Sequence, residues 1–222
     1  MRPGMASDPL QDLPLVHRLA LAYAPARARE ATLTLMLLDE RLAGILRQKS
    51  EIIIAQIKLA WWRDRFGEDP AQWPAGEPLL ARLSRWAGDM RELAALVDGW
   101  EALLAETFGE AQVGQFAQGK ARAWRTLAAG IGAGDAADET GRIAGEWAMA
   151  DLALNLRGGE DGAVAIEYAQ RQVWRKPRLP RTLRPLAVLH GLAARALARG
   201  STDLLDGPGA SLAALRIGLS GR

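Results

Sequence analysis

The chain carries few side chains suited to covalent chemistry. It contains no cysteine, which excludes a disulfide framework, a thiolate metal site and a thiol nucleophile. The two histidines, His17 and His190, lie far apart in sequence without the spacing of metal ligands, and we expect each to lie on the surface or on a helix face. The sequence also lacks a Ser-His-Asp order, a glycine-rich loop after a strand and a zinc motif. The candidates for a functional site are therefore its carboxylates, arginines and lysines.

Positive charge is concentrated near the C-terminus. The net charge is only +2, yet after residue 161 the acids are limited to Glu167, Asp203 and Asp206. The segment 171–184 contains basic residues and no acid, and such a segment attracts a phosphate, an anionic lipid surface or an acidic partner. We expect a solvated helix end and loop here, with a peripheral membrane contact as the alternative, and we expect no nucleic-acid partner. The basic residues are Arg171, Arg175, Lys176, Arg178, Arg181 and Arg184.

The segment Trp61-Trp62-Arg63-Asp64 stands out among the aromatic residues. A tryptophan buries a large aromatic surface and needs a partner for its indole N–H. A pair of adjacent tryptophans is therefore typical of a packing anchor or an interface contact, and we expect one of the two to be available to a partner.

Composition favours an all-α fold with a single domain. Almost half of the 222 residues are hydrophobic (49%), and the abundance of alanine and leucine suits helices better than sheets. We expect a flexible N-terminus at residues 1–9, a helical domain at 10–200 and a C-terminal extension at 201–222. Apolar periodicity and helix breakers predict helices at residues 10–23, from Pro25 onward, from Ser50 to the tryptophan pair, and at 79–87, 90–107, 110–129, 138–157, 163–174 and 186–199, with a short helix after them.

The third predicted helix has an apolar stripe that ought to be buried. Ser50 is the expected N-cap, and Glu51, Lys58 and Arg65 fall on the opposite face. The expected buried stripe consists of Ile53, Ile54, Ile57 and Trp61.

Neither a signal peptide nor a membrane span is predicted. Residues 1–9 lack the apolar run of a signal peptide, and no window of about 18 residues is both apolar and uncharged. We expect a soluble, cytoplasmic protein that is at most peripheral to a membrane.

Several features follow one another in a fixed order: Tyr23, Pro25 and Arg29, then a long apolar helix, then the Ile-x-Leu-x-Trp-Trp-Arg-Asp segment at 57–64. This order resembles the squalene/phytoene synthase family. The resemblance covers roughly residues 10–64 and continues weakly to 145–157 and to Leu179-Pro180. It implies an isoprenoid synthase-like helical bundle, shortened here, around a central cavity for prenyl diphosphates. In the family, two aspartate-rich segments on facing helices hold Mg²⁺, which neutralises the diphosphate leaving group.

The chain departs from the family at both aspartate-rich segments. Carried forward from Arg29 without gaps, the three carboxylate positions of the first motif hold Ala43, Gly44 and Arg47. The two positions of the second motif, at 158 and 162, hold glycine. Glu160 and Asp161 lie nearby but lack the one-turn spacing that aims two carboxylates at one metal ion.

The resemblance still suggests an anion site without a metal. Asp151 stands where the family has a glutamine, as a cavity residue or an ordinary exposed aspartate, while Arg29, Arg157 and Arg178 keep basic positions that could bind an anion. Trp147 lies on the same helix face as Asp151 and could fill the cavity.

These departures predict a catalytically degenerate member of the family that binds a protein partner or an isoprenoid lipid, without a metal or other cofactor. A mitochondrial assembly factor for respiratory complex I resembles the family in the same way, so assembly of a membrane complex is one such role. A lipid carrier is another. The alternative is an active Mg²⁺-dependent prenyl transferase of the squalene/phytoene synthase type, acting on prenyl diphosphates, with ligands drawn from Asp39, Glu40, Asp151, Glu160 and Asp161.

Overall fold

The computed structural model describes residues 8–48, 51–156, 159–201 and 203–221, and every regular element in these ranges is helical. Short 3-10 turns at Pro9–Asp12, Pro70–Gln72, Met90–Leu93, Gly134–Ala136 and Arg181–Leu183 precede or connect the α-helices. The α-helices are α1 (Leu15–Leu21), α2 (Ala26–Arg47), α3 (Ile52–Gly67), α4 (Pro78–Leu83), α5 (Ala94–Ala102), α6 (Glu110–Gly130), α7 (Ala137–Asn155), α8 (Glu160–Arg171), α9 (Arg184–Arg199) and α10 (Pro208–Ser220).

Proline and glycine set several helix ends. Pro78 and Pro208 occupy the first position of α4 and α10, where the missing N–H would have no partner within the helix. Gly200 ends α9 with a φ of 60°, a left-handed conformation that glycine adopts without a Cβ clash. Pro14 divides the predicted first helix into the 3-10 turn at Pro9–Asp12 and α1.

Helices α6 and α7 form the centre of the bundle. They pack along each other, α5 packs on α6 and also contacts α2 and α3, and α8 packs mainly on α7. Helix α9 packs on α7 and carries both α1 and α10. The predicted C-terminal extension therefore contributes α10 to the bundle, with Ala210, Ala214 and Ile217 buried in the core.

The main core joins most of the helices, and a second apolar cluster lies under α8. Leu38 of α2, Leu59 of α3 and Leu189 of α9 are fully buried in the main core. Burying each such leucine contributes about 1.5–3 kcal/mol to folding. The second cluster consists of Val113, Phe116, Ala117, Ala148, Met149, Leu152, Ala153, Ala165 and Ala169.

The predicted buried face of α3 is wrong. Ile53 and Ile57 are 65% and 64% exposed, and Ile54 is exposed as well. The helix instead buries Ala55, Leu59, Trp62 and Phe66, which also repeat at helical spacing. It continues past the tryptophan pair to Gly67 and has Glu51 at its N-cap position, while Ser50 lies outside the described residues.

Within the described ranges, no helix combines the length and the apolar character needed to cross a bilayer.

Candidate functional site

A cavity of about 920 Å³ opens between the start of α1, the second half of α2, α5, α6 and the end of α7. We call it the central cavity. Its walls are mainly apolar and its floor is charged. The apolar lining includes Leu15, Val16, Ala43, Leu46, Trp100, Leu103, Phe116, Leu152, Leu154, Leu156, Leu204 and Leu205, and the polar lining includes His17, Asp39, Glu40, Arg47, Lys120, Asp151, Asn155 and Asp203.

A buried ion pair joins α2 to α6 at the cavity floor. Lys120 Nζ donates to Asp39 Oδ2, and the side chains are only 3% and 10% exposed. The other carboxylate oxygen, Oδ1, accepts a hydrogen bond of 2.9 Å from Trp100 Nε1 of α5. Both oxygens of Asp39 therefore have hydrogen-bond partners, which offsets the cost of burying this polar group.

Aromatic rings surround the Lys120 ammonium. Its Nζ lies 4.9 Å from the ring centroids of both Trp100 and Phe116, and 5.1 Å from that of Trp147. An ammonium over ring faces gains cation–π stabilisation of about 0.5–2 kcal/mol for each well-placed ring. Lys120 thus neutralises Asp39 and packs against these rings at the cavity floor, and both contacts exist without a ligand.

Asp151 faces the same cavity from α7. Burial raises the pKa of its carboxyl to about 6, with Lys120 opposing the shift and the charges of Asp39 and Glu40 adding to it. Within the described part of the chain, its carboxyl oxygens have no hydrogen-bond partner. Asp151 can therefore accept a hydrogen bond from a ligand when ionised and donate one when protonated.

His17 is the neutral member of the group. It is 6% exposed, and burial lowers its pKa to about 4 although the charge of Asp39 acts in the opposite direction. Its ring packs against the edge of Trp147 at 5.7 Å, and neither ring nitrogen has a partner among the described residues. Of the two positions expected for the histidines, the surface and a helix face, the surface is excluded, since His190 is also buried at 3% exposure. Both lie instead on buried helix faces.

Glu40 and Arg47 form a second pair at the cavity rim. The Arg47 guanidinium donates to Glu40 Oε1, and Arg47 is much more exposed than Glu40. The cations that line the central cavity in the described ranges are Lys120 and Arg47, and both are engaged by carboxylates of α2. In the same ranges, no group of three or more His, Asp or Glu side chains is arranged to hold a metal ion.

The residues predicted to form an anion site are not brought together around Asp151. Arg29 donates to the carbonyl oxygen of Leu21 at 3.0 Å and so ties the start of α2 to α1. Arg178 lies in the extended segment after α8, where its backbone N–H donates to Glu139 Oε1 at 3.2 Å. Neither residue lines the central cavity, and Arg157 lies outside the described residues.

The carboxylates proposed for the enzymatic alternative divide into two groups. Asp39 and Glu40 on α2 and Asp151 on α7 line the central cavity. Glu160 and Asp161 are exposed at the start of α8 and do not line it. Trp147 does not fill the cavity, because it packs in the main core against Trp124, with ring centroids 6.2 Å apart.

The Trp61-Trp62-Arg63-Asp64 segment fastens α3 to its neighbours. Trp62 is buried against Phe66, while Trp61 is half-buried, stacks edge-on against Trp62 at 5.0 Å and lies under the Arg65 guanidinium. Arg63 Nε donates to Asp98 at 2.8 Å and the same guanidinium pairs with Glu101, both on α5. Asp64 is exposed, and the partly exposed Trp61 remains accessible to a partner.

Sequence reasoning missed Lys120 and Trp100, yet a signal existed for Lys120. It lies four residues after Phe116 and four before Trp124, in the middle of the apolar face of α6. A lysine at that position predicts either a pairing carboxylate or a functional site, because an unpaired buried ammonium is too costly.

Comparison of the chain with models of known protein families, with curated proteins and with solved structures gives no match.

Proposed function

We propose that this protein is a non-catalytic binding protein on a squalene/phytoene synthase-like helical scaffold, and that its central cavity holds an uncharged isoprenoid lipid. The observation that carries the proposal is the cavity itself. It combines about 920 Å³ of space and apolar walls with cations, one at the floor and one at the rim, that are already paired with carboxylates. Pockets of this size and character bind small apolar molecules.

The charge arrangement favours an uncharged lipid over a prenyl diphosphate. A diphosphate brings several negative charges, which free cations or metal ions must neutralise. Lys120 is engaged by Asp39, Arg47 is engaged by Glu40, and Asp151 adds a further acid to the lining. A prenyl alcohol meets these conditions, because its chain contacts the leucines and its hydroxyl hydrogen-bonds to Asp151.

The position of the cavity supports the proposed scaffold. In the family, the metal-binding carboxylates lie on two helices that face a central cavity, and the corresponding helices here are α2 and α7. Both helices line the central cavity. The Trp-Trp-Arg-Asp segment follows directly as part of α3.

A role in assembly is supported by the exposed apolar face of α3. Ile52, Ile53, Ile54 and Ile57 are exposed, and helical spacing places Ile53 and Ile57 on the same face as the partly exposed Trp61. Exposed apolar patches of this kind are typical of surfaces that contact a protein or a membrane.

A ligand-induced shift of the melting temperature tests lipid binding. Farnesol should raise Tm of the purified protein, since a ligand that binds only the folded state stabilises it by mass action. Ala43→Phe narrows the cavity and Leu205→Asp places a charge in its wall, so both should abolish the shift. Leu215→Asp makes the same change on the exposed face of α10 and should leave the shift intact. A shift that survives both cavity variants would disprove binding in the central cavity.

The enzymatic alternative is favoured by one specific observation. Asp39, Glu40 and Asp151 approach the same cavity from α2 and α7, close enough for the two α2 carboxylates to influence the pKa of Asp151. A metal ion would have to displace Lys120 and Trp100 from Asp39. Incubation with Mg²⁺ and farnesyl or geranylgeranyl diphosphate decides the matter. Release of diphosphate that is abolished in Asp151→Ala would overturn the non-catalytic proposal.

A further inference from the structure

A second pocket, of about 220 Å³, lies between α9, α10 and the segment 174–177. We call it the C-terminal pocket. It shares no lining residue with the central cavity, so its role is independent of the lipid-binding proposal. Its walls combine Trp174 and Ile217 with three cations and a buried histidine.

Among the described residues, no acid pairs with the cations of the C-terminal pocket. Arg175, Lys176 and Arg216 line it, and their charged groups form no ion pair with any described residue. None of the described residues that line the pocket is acidic. By contrast, Arg171 in the same basic segment pairs with Glu110. The positive charge of this segment is therefore available at the pocket, where it attracts an anion.

His190 gives the pocket a buried polar group that also lacks a partner. Its Nε2 lies 2.6 Å from Glu146 Oε2, and Glu146 pairs in turn with Arg142, so the ring orientation is fixed from one side. Its Nδ1 is buried and has no hydrogen-bond partner in the described part of the chain. A ring that donates through Nε2–H to the Glu146 carboxylate offers Nδ1 as an acceptor in its neutral form, so a carboxylate oxygen gains nothing there. His190 therefore shapes the wall of the pocket and does not itself bind the anion.

The remaining walls select for a ligand with an apolar body. Trp174 covers the face of His190, with ring centroids 5.1 Å apart, and its Nε1 is already occupied by the carbonyl oxygen of Ala169. Its ring therefore offers apolar and aromatic contact, as does the side chain of Ile217 from α10. A bare inorganic anion would leave these walls without contacts.

We propose that the C-terminal pocket binds a small organic carboxylate with a compact apolar or aromatic body. The carboxylate lies among Arg175, Lys176 and Arg216, while the body packs between Trp174 and Ile217. Charge-assisted hydrogen bonds to the arginines supply the anion selectivity.

Titration of the full chain with benzoate, followed by calorimetry and by the NMR signal of the Trp174 indole, tests the proposal. Benzamide has the same shape without the charge and should bind about tenfold more weakly or not at all, because it lacks the charge-assisted bonds. Inorganic phosphate should leave the Trp174 signal unchanged.

Variants locate the site. Arg175 and Arg216 are exposed, and the fold does not depend on their side chains. Arg216→Gln and Arg175→Gln should each weaken benzoate binding about fivefold or more. Arg199→Gln removes an exposed arginine at the end of α9 outside the pocket and should have no effect. Any of three results would overturn the proposal: benzamide binds as tightly as benzoate, phosphate binds more tightly than benzoate, or both pocket variants keep the benzoate affinity of the parent chain.

Discussion

At the scale of single residues, the Asp39–Lys120 pair ties α2 to α6 in the interior of the protein. It joins residues 81 positions apart and is almost completely buried. Removing one partner of a buried pair leaves the other charge without compensation, which costs more than the pair contributes.

Lys120→Met should therefore lower the free energy of unfolding by about 3–5 kcal/mol, as measured by urea denaturation. Asp39→Asn combined with Lys120→Met leaves no uncompensated charge and should recover a large part of this loss. If the double variant is as unstable as the single one, the charge balance is not what makes Lys120 important.

Asp151 and His17 predict opposite pH dependences of stability. The pKa of Asp151 in the folded protein, about 6, lies above its ordinary value of 3.8, so the folded state binds the proton more tightly. This contribution decreases stability as the pH rises from about 4 to about 6. The pKa of His17 in the folded protein, about 4, lies below its ordinary value of 6.5, so the unfolded state binds the proton more tightly. The contribution of His17 therefore lowers the free energy of unfolding as the pH falls from about 6.5 to about 4.

Single variants separate the two contributions. Asp151→Asn should raise the free energy of unfolding at pH 7 by about 1–3 kcal/mol and make the loss of stability below pH 6.5 steeper. His17→Gln should make that loss shallower, because the imidazole no longer has to be protonated on unfolding. Urea denaturation at intervals from pH 4 to pH 8 measures both, and parallel pH profiles for the two variants and the parent chain would contradict the assignment.

At the scale of elements, α3 shows how one helix can carry two apolar faces. Its isoleucine-rich face is exposed, whereas the face with Leu59 and Trp62 packs in the main core. Arg63 adds ionic contacts to Asp98 and Glu101 of α5, and these orient the helix. The exposed face is therefore free for a partner, while the buried face holds the fold.

Substitutions on the two faces of α3 should differ sharply in cost. Leu59→Ala opens a cavity in the core and should destabilise the protein by about 2–5 kcal/mol. Ile57→Ala, at an exposed position, should change stability by no more than about 0.5 kcal/mol. Thermal or urea denaturation compares them, and similar costs for the two variants would mean that both faces are buried in solution.

At the scale of the whole molecule, stability is unevenly distributed between the helices. Helix α9 buries Leu186, Val188, Leu189 and Leu192 and contacts α1, α7 and α10. Helix α8 buries only Gly162, Ala165 and Ala169. Since apolar burial is the main source of local stability, α8 opens at a lower free energy than α9.

Amide hydrogen exchange should reveal this difference. The amides of α9 should exchange close to the rate of global unfolding, whereas those of α8 should exchange through a local opening that is faster by about tenfold or more. Ala165→Leu is expected to lower protection in α8 further, because a fully buried alanine has no room for the larger side chain. Equal protection in α8 and α9 would indicate one cooperative unit.

The helical composition and most helix positions could be predicted from the sequence. The predicted span 110–129 agrees with α6, and 138–157 agrees with α7 over the described residues. Apolar periodicity and the placement of proline and glycine are local signals, so they identify a helix before its neighbours are known. The resemblance to the squalene/phytoene synthase family, and not the periodicity, singled out Asp151 on α7, which lines the central cavity.

The sequence by itself thus determined that this chain forms helices and roughly where each begins and ends, because those outcomes depend on residues within a few positions of one another. Only the tertiary structure decided which apolar face of α3 is buried, because both faces repeat at helical spacing. It also decided that Lys120 meets Asp39 and that His190 meets Glu146, 44 positions away. Such pairings depend on how separate helices pack, and periodicity along one helix carries no information about its partners.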